Sequence, residues 1–322
     1  MKAAILYHPG SAENFSVETR PVPEPQEGQV LIKVKAFGLN RSELMTRKGL
    51  SPSVLFPRVL GIECVGEIVT DPAGIFRQGQ KVAAVMGDMG RQFDGSYAEY
   101  TVVPKEIIVP FTSDLEWSTL GAIPEMFHTV SGSLHLALKI VKNETLLIRG
   151  GTSSIGMLAI QLAKTFGLKV IATTRKKEKS EALLNNGADY VLIDDGNLST
   201  QIRKVFPAGV NKVLELVGTS TLKDSLFCTA QGGSVCFTGM LSEQWSIKDF
   251  APMDYIPATV NLTVYDSGQV KMDAEHFQSF INDVEEGNIK LNISKVFRLD
   301  EIVEAHKYME SNTGLGKIVV VT

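Results

Sequence analysis

The segment Leu147-Ile148-Arg149-Gly150-Gly151-Thr152-Ser153-Ser154-Ile155-Gly156 carries the strongest chemical signal in the chain. Small residues stand between an apolar run and a helical one, the context that a dinucleotide-binding turn requires. Such residues let the backbone turn tightly and approach a pyrophosphate. A helix that begins behind them offers free N–H groups and a partial positive charge. Gly151, Thr152, Ser153, Ser154, Ile155 and Gly156 are therefore candidate cofactor contacts. Ser153 occupies the middle glycine of the G-x-G-x-x-G pattern, and its small side chain can donate a hydroxyl to phosphate. The same residues also suit a plain strand–helix turn in which glycine serves packing alone.

The next strand selects the nucleotide. A site for NAD wants Asp or Glu at its end, to accept from the ribose hydroxyls. Here the run Lys169–Thr174 continues into Arg175-Lys176-Lys177-Glu178-Lys179, with no acid at Thr174. Arg175, Lys176 and Lys179 would attract a 2′-phosphate, each charge-assisted hydrogen bond contributing about 1.5–3 kcal/mol before exposure discounts it. The pattern predicts NADPH rather than NADH. A solvated basic helix start is the other reading, although cations there oppose the helix dipole.

The elements that position these residues alternate. Thr145–Arg149, Lys169–Thr174, Tyr190–Asp194, Lys212–Val217 and Gly233–Thr238 read as strands, with helices over Ile155–Phe166, Lys177–Asn186 and Ser199–Phe206. Apolar strands alternating with helices predict an α/β, Rossmann-type doubly wound parallel sheet covered on both faces. The first third differs. Short β-like runs at Val30–Ala36, Gly61–Thr70, Lys81–Val85 and Tyr97–Val103 are separated by Gly and Pro, the texture of a barrel-like or sandwich domain. Gly121–Lys142 reads as mostly helical. Helices at Ala274–Glu286 and Ile302–Glu310 and a strand at Gly316–Val321 close the chain. Residues 123–265 are thus expected to be a nucleotide-binding domain inserted between 1–122 and 266–322 of a mostly β domain.

The 322 residues suffice for two domains with their own cores. A formal charge of −4 argues against a nucleic-acid-coating protein. The 3 cysteines, Cys64, Cys228 and Cys236, form no disulfide framework, which points to a reducing cytoplasm. The N-terminal residues lack the apolar core of a signal peptide, and no apolar run is long enough for a membrane-spanning helix.

Several further segments carry a resemblance: Gly38-Leu39-Asn40-Arg41-Ser42-Glu43, Gly61-Ile62-Glu63-Cys64-Val65-Gly66-Glu67-Ile68-Val69, Phe93-Asp94-Gly95-Ser96-Tyr97-Ala98-Glu99-Tyr100, the phosphate turn with Gln161-Leu162-Ala163-Lys164, and Gly316-Lys317-Ile318-Val319. In this order they resemble the medium-chain dehydrogenase/reductase superfamily, close to its quinone oxidoreductase branch, over essentially the whole chain. The resemblance implies a GroES-like domain around the nucleotide-binding one, a cofactor cleft lined by Val217, Gly218, Thr238, Gly239 and Met240, and a homodimer.

It also locates what is missing. Zinc alcohol dehydrogenases of this superfamily carry a His where this chain has Ile62, a Cys where it has Asn40, and a third ligand near Glu125. The cluster of four cysteines that holds a structural zinc is absent. A catalytic zinc needs three good N, S or O ligands, so no metal is expected. Without a Lewis acid the better hydride acceptor is already electron-poor, a quinone or an α,β-unsaturated carbonyl, and donors should wait for its oxygen. The resemblance places Asn40, Glu43 and Arg47 near that pocket, Glu43 standing where the branch usually has Asp. The alternatives are a zinc-free enoyl-thioester reductase and a non-catalytic NADPH-binding sensor or structural protein. His128 and His135 lie on a predicted helix with no partner acid in view.

Overall fold

The computed structural model describes residues 1–322. The chain opens with β1 (Lys2–Leu6), β2 (Phe15–Thr19), β3 (Gln29–Gly38), the short helix α1 (Arg41–Arg47), β4 (Arg58–Val59), β5 (Glu63–Thr70), β6 (Lys81–Val85), β7 (Tyr100–Pro104) and β8 (Ile108–Pro110). β1 sits between β2 and β4 in a three-stranded antiparallel sheet. β3 is the hub of the second sheet, pairing antiparallel with both β5 and β7. Its residues Val30, Ile32, Val34 and Phe37 are fully or almost fully buried and pack with Leu6, Leu60, Tyr97 and Val103. The proline-rich stretch before β3 stays outside the sheet, as residues without a donor must.

Helices α2 (Trp117–Leu120) and α3 (Pro124–Ser131) lead into a π-helical segment, Gly132–Ala137. The segment expected to be mostly helical over 121–142 is helical over 124–137, in two kinds of turn. The widened turn begins at Gly132, whose missing side chain makes room for the Tyr265 ring; a Cβ there would lie 1.9 Å from its Cζ.

The parallel sheet follows: β9 (Thr145–Arg149), α4 (Ser154–Thr165), β10 (Lys169–Thr174), α5 (Ser180–Asn185), β11 (Tyr190–Ile193), α6 (Leu198–Val205), β12 (Val210–Glu215), α7 (Thr219–Cys228), β13 (Thr229–Phe237), α8 (Pro252–Tyr255) and β14 (Asn261–Val264). Its order is β11-β10-β9-β12-β13-β14, with every neighbouring pair parallel. This is the doubly wound order that reverses beside the first strand. α5 starts three residues later than the sequence suggests, after a 3₁₀ turn over Lys177–Lys179, where cations oppose the helix dipole.

α9 (Ala274–Glu285), β15 (Ile293–Arg298), α10 (Ile302–Ser311) and β16 (Lys317–Val321) finish the chain. β16 pairs antiparallel with β3 and parallel with β15, so the C-terminus rejoins the sheet built on β3.

Two compact units result, Met1–His128 with Ser267–Thr322, and Thr129–Asp266. The first division falls six residues beyond the expected 122/123 because the start of α3 is tied to the outer unit. The Glu125 N–H donates to Glu63 at 2.8 Å, and His128 Nε2 lies 2.9 Å from the Val270 carbonyl. No helix is long and apolar enough to cross a membrane.

Candidate functional site

The phosphate turn joins β9 to α4. Gly150, the first glycine of the segment, takes the left-handed conformation that tightens it, at φ +94°. Gly156 permits a close approach of backbone to backbone: a Cβ there would lie 2.5 Å from the Gly150 carbonyl oxygen and 2.7 Å from Gly151 Cα. Ser153 is the N-cap of α4. Its hydroxyl accepts from the Gly156 N–H at 3.1 Å and donates to the Gly150 carbonyl at 2.8 Å. In this arrangement the Ser153 hydroxyl serves as the cap of α4. The N–H groups of Thr152, Ser154 and Ile155 have no partner within the protein, and all three residues are partly exposed. Unmet N–H groups at a helix N-terminus are an anion site.

β10 ends without an acid. The Thr174 hydroxyl is buried against the Lys176 backbone, 3.1 Å from its N–H. Arg175 and Lys176 stand exposed, while Lys179 is half-buried. Burial, and then the neighbouring Lys176, hold the Lys179 ammonium below its usual range.

The remaining cofactor candidates lie at the carboxyl ends of the adjacent strands β12 and β13, beside β9. Gly218 is left-handed at φ +124°. The N–H groups of Val217 and Gly218 donate to Glu215 Oε1 at 2.7 and 3.0 Å. Thr238 Oγ1 lies 2.9 Å from the Ser133 hydroxyl in the π-helical segment and 3.2 Å from Cys236 Sγ. Gly239 and Met240 are half-exposed at the end of β13. The turn, the β10 end and these two strand ends thus share one edge of one sheet, where doubly wound folds bind ligands. This edge fits a dinucleotide, with free N–H groups for the pyrophosphate and exposed cations beside them.

Beneath the turn lies a network that the sequence reading missed. Arg149, fully buried, makes a bidentate pair with Asp194 at 2.7 and 2.8 Å and reaches Asp224 at 2.8 Å. Asp224 also accepts from the N–H groups of Leu198 and Ser199, capping α6. Glu215 is buried, and burial raises its carboxyl against the opposing bonds from Ser225 and Gly218. An arginine inside an apolar strand was the available signal.

In the other unit, Asn40 is the N-cap of α1, and its backbone N–H donates to the Glu43 carboxylate. Its side-chain amide donates to Glu63 Oε1 at 2.8 Å and accepts from Lys317 Nζ at 2.6 Å. Lys317 and Glu63 form an ion pair of 2.7 Å, both essentially inaccessible. Glu43 is buried and braces α1 against the Ile62 N–H at 2.9 Å. Burial pushes its carboxyl up to about 7. Arg47 is 1 % exposed, donates to the Gly10 carbonyl at 2.8 Å and lies 2.7 Å from Glu310. Of the three residues placed near the substrate, only Asn40 keeps a partly exposed side chain; Glu43 and Arg47 are bound inside the unit.

The donor set does not suit zinc. Ile62 is buried and apolar, the Asn40 amide is committed to Lys317 and Glu63, and Glu125 Oε1 accepts from the Ser267 hydroxyl at 2.7 Å. No three His, Cys, Asp or Glu side chains converge into a metal-binding group. His128 is held by the carbonyls of Ser267 and Val270, and His135 packs edge-on against Phe166.

Comparison with known proteins agrees with this architecture. The family model of the alcohol dehydrogenase GroES-like domain matches residues 26–113, and that of the zinc-binding dehydrogenases matches 154–284. An acryloyl-coenzyme A reductase from Sulfurisphaera tokodaii is 26% identical, over 99% of both chains. The human quinone oxidoreductase is also 26% identical, over 99% of this chain and 97% of its own. In fold, the chain superposes on the structure of Escherichia coli quinone oxidoreductase complexed with NADPH, with a TM-score of 0.89 and 20% identity over 100% of both chains. Order of motifs, sheet topology and relatives converge: the chain belongs to the medium-chain dehydrogenase/reductase superfamily of oxidoreductases, on its quinone oxidoreductase branch.

Proposed function

We propose that the protein is an NADPH-dependent reductase that delivers a hydride to a quinone or an α,β-unsaturated carbonyl without zinc. One observation carries the reading: a phosphate turn with free N–H groups beside a β10 end that bears exposed Arg175 and Lys176 and no acid. The N–H groups of Thr152, Ser154 and Ile155 hold the pyrophosphate; Arg175 and Lys176, with Lys179 behind them, hold the 2′-phosphate. Val217, Gly218, Thr238, Gly239 and Met240 line the nicotinamide end. NADPH, when bound, supplies the hydride and so both electrons. The acceptor gains that hydride and one proton from solvent, and no protein acid is needed. The Asn40 amide donates to the acceptor's carbonyl oxygen as negative charge collects there. Glu43 and Arg47 act behind it, fixing α1. The buried free cysteines suit a reducing compartment, and a homodimer is the proposed assembly.

The acryloyl-coenzyme A reductase relative favours a second reading, an enoyl thioester as acceptor. The test is loss of NADPH absorbance on addition of a quinone, an enone or an enoyl thioester. Rapid turnover of either of the first two supports the primary reading. Turnover of the thioester alone moves the assignment to the second, and none at all leaves a non-catalytic NADPH-binding protein.

A further inference from the structure

We infer that Lys317 is a positioning residue for this reduction: its buried ammonium, braced by Glu63, orients and polarises the Asn40 amide that faces the substrate oxygen. The inference rests on the proposed reductase reading and assigns a role to a residue far from Asn40 in sequence.

The geometry leaves the amide one orientation. Lys317 Nζ lies 2.6 Å from Asn40 Oδ1, and Asn40 Nδ2 lies 2.8 Å from Glu63 Oε1. An ammonium only donates and a carboxylate only accepts. Flipping the amide would set its NH₂ against the ammonium and its oxygen against the carboxylate. One Nδ2 hydrogen is thereby assigned to Glu63. The other has only a long 3.4 Å approach to the Gly38 carbonyl, on a side chain that remains partly exposed. A cation at the amide oxygen draws charge from the nitrogen and strengthens that remaining N–H as a donor, and hydrogen bonds in such chains reinforce one another.

The surroundings hold the cation in place. Glu63 Oε2 receives the Glu125 N–H at 2.8 Å, so the carboxylate is fixed at both oxygens. Gly38 keeps the slot open, because a Cβ there would lie 2.2 Å from Lys317 Cε and 2.6 Å from Glu63 Oε1. Burying an ion pair seldom adds net stability over apolar packing, so stabilisation alone does not account for a slot built around one.

The test is a double-mutant cycle in the full-length protein with Asn40→Ala and Lys317→Met. It reads kcat and KM for the quinone, the dissociation constant of NADPH, and that of p-nitrophenolate, a stand-in for the substrate's anionic oxygen. Asn40→Ala is expected to lower kcat roughly 100-fold and Lys317→Met about 10-fold or more, the scale of losing or weakening an oxyanion donor. NADPH affinity stays unchanged, and both variants bind the phenolate more weakly. The combined variant is no slower than Asn40→Ala alone, because Lys317 acts through Asn40. Fully additive losses overturn the inference and leave the reductase reading intact. The neutral pair Lys317→Met/Glu63→Gln guards against a folding artefact: it is expected to fold and stay slow, and recovery of kcat would show that the ion pair is only structural. Unchanged turnover in Asn40→Ala removes the donor and the inference with it. If no acceptor is reduced, the reductase reading fails and the phenolate affinities of the two single variants decide the inference by themselves.

Discussion

The phosphate edge of the inserted unit and the polar cluster around Asn40 solve opposite problems. The first leaves N–H groups without a protein partner and cations exposed, open to a charged ligand. The second closes on itself: Lys317 meets Glu63, Asn40 meets both, and Glu43 is bound by the backbone of α1 and of Ile62. A highly charged ligand is recognised by donors left waiting. In the proposed reduction a neutral carbonyl acceptor would need one donor held rigidly, with the rigidity supplied by groups that do not touch it.

The contrast breaks most visibly at Glu63. Glu63→Leu strands the Lys317 ammonium in the interior and should destabilise the protein by about 3–5 kcal/mol, read as a fall in the urea midpoint; a loss within error would mean that solvent already reaches the pair.

Glu43 gives the next largest effect, through pH. Burial raises its carboxyl from 4.5 to about 7, against the bonds from Ile62 and Asn40 and with help from Glu63. The folded state therefore keeps a proton that the unfolded chain releases above 4.5. This contribution to stability is full below pH 4.5 and is lost as pH rises through about 7. Relative to Glu43→Gln, the wild type should lose on the order of 3 kcal/mol across that window. A pH-independent difference between the two unfolding curves would show that Glu43 titrates normally.

The phosphate edge yields smaller changes in stability and clearer ones in binding. Gly156→Val drives a side chain into the Gly150 carbonyl and should cost about 1–3 kcal/mol while abolishing NADPH binding. Retained binding would mean that the turn can open without harm. The smallest effect is expected from Arg175→Asp, which should weaken NADPH about 10-fold, the discounted value of one exposed charge-assisted bond, and leave NADH unaffected. Equal weakening of both nucleotides would place Arg175 away from the 2′-phosphate.

Much of the phosphate edge was legible because its signals are local. Gly151–Gly156 follow an apolar strand directly, and Arg175 and Lys176 follow the next, so spacing alone brings them to one sheet edge. The capping contact of Ser153 was not read from the pattern, although its hydroxyl reaches Gly156 only three residues on. The Asn40 cluster was not legible in this way. Its members come from α1, β5 and β16, and only the pairing of β16 with β3 sets Lys317 beside Asn40. Arg47 illustrates the same limit. Its type and position suited substrate binding, yet the partners that bury it, Gly10 and Glu310, are distant in sequence. Short polar strands such as β14 and β15 also escaped, since Asn261–Val264 and Ile293–Arg298 gain their strand character from neighbours already in the sheet.

The central claim is that the basic end of β10 reads a 2′-phosphate, and the affinities of NADPH and NADH for the wild-type protein, titrated side by side at one ionic strength, test it most directly. The account predicts NADPH binding tighter by at least about 10-fold, the exposed share of one or two charge-assisted bonds. Equal dissociation constants, or tighter NADH, would contradict it.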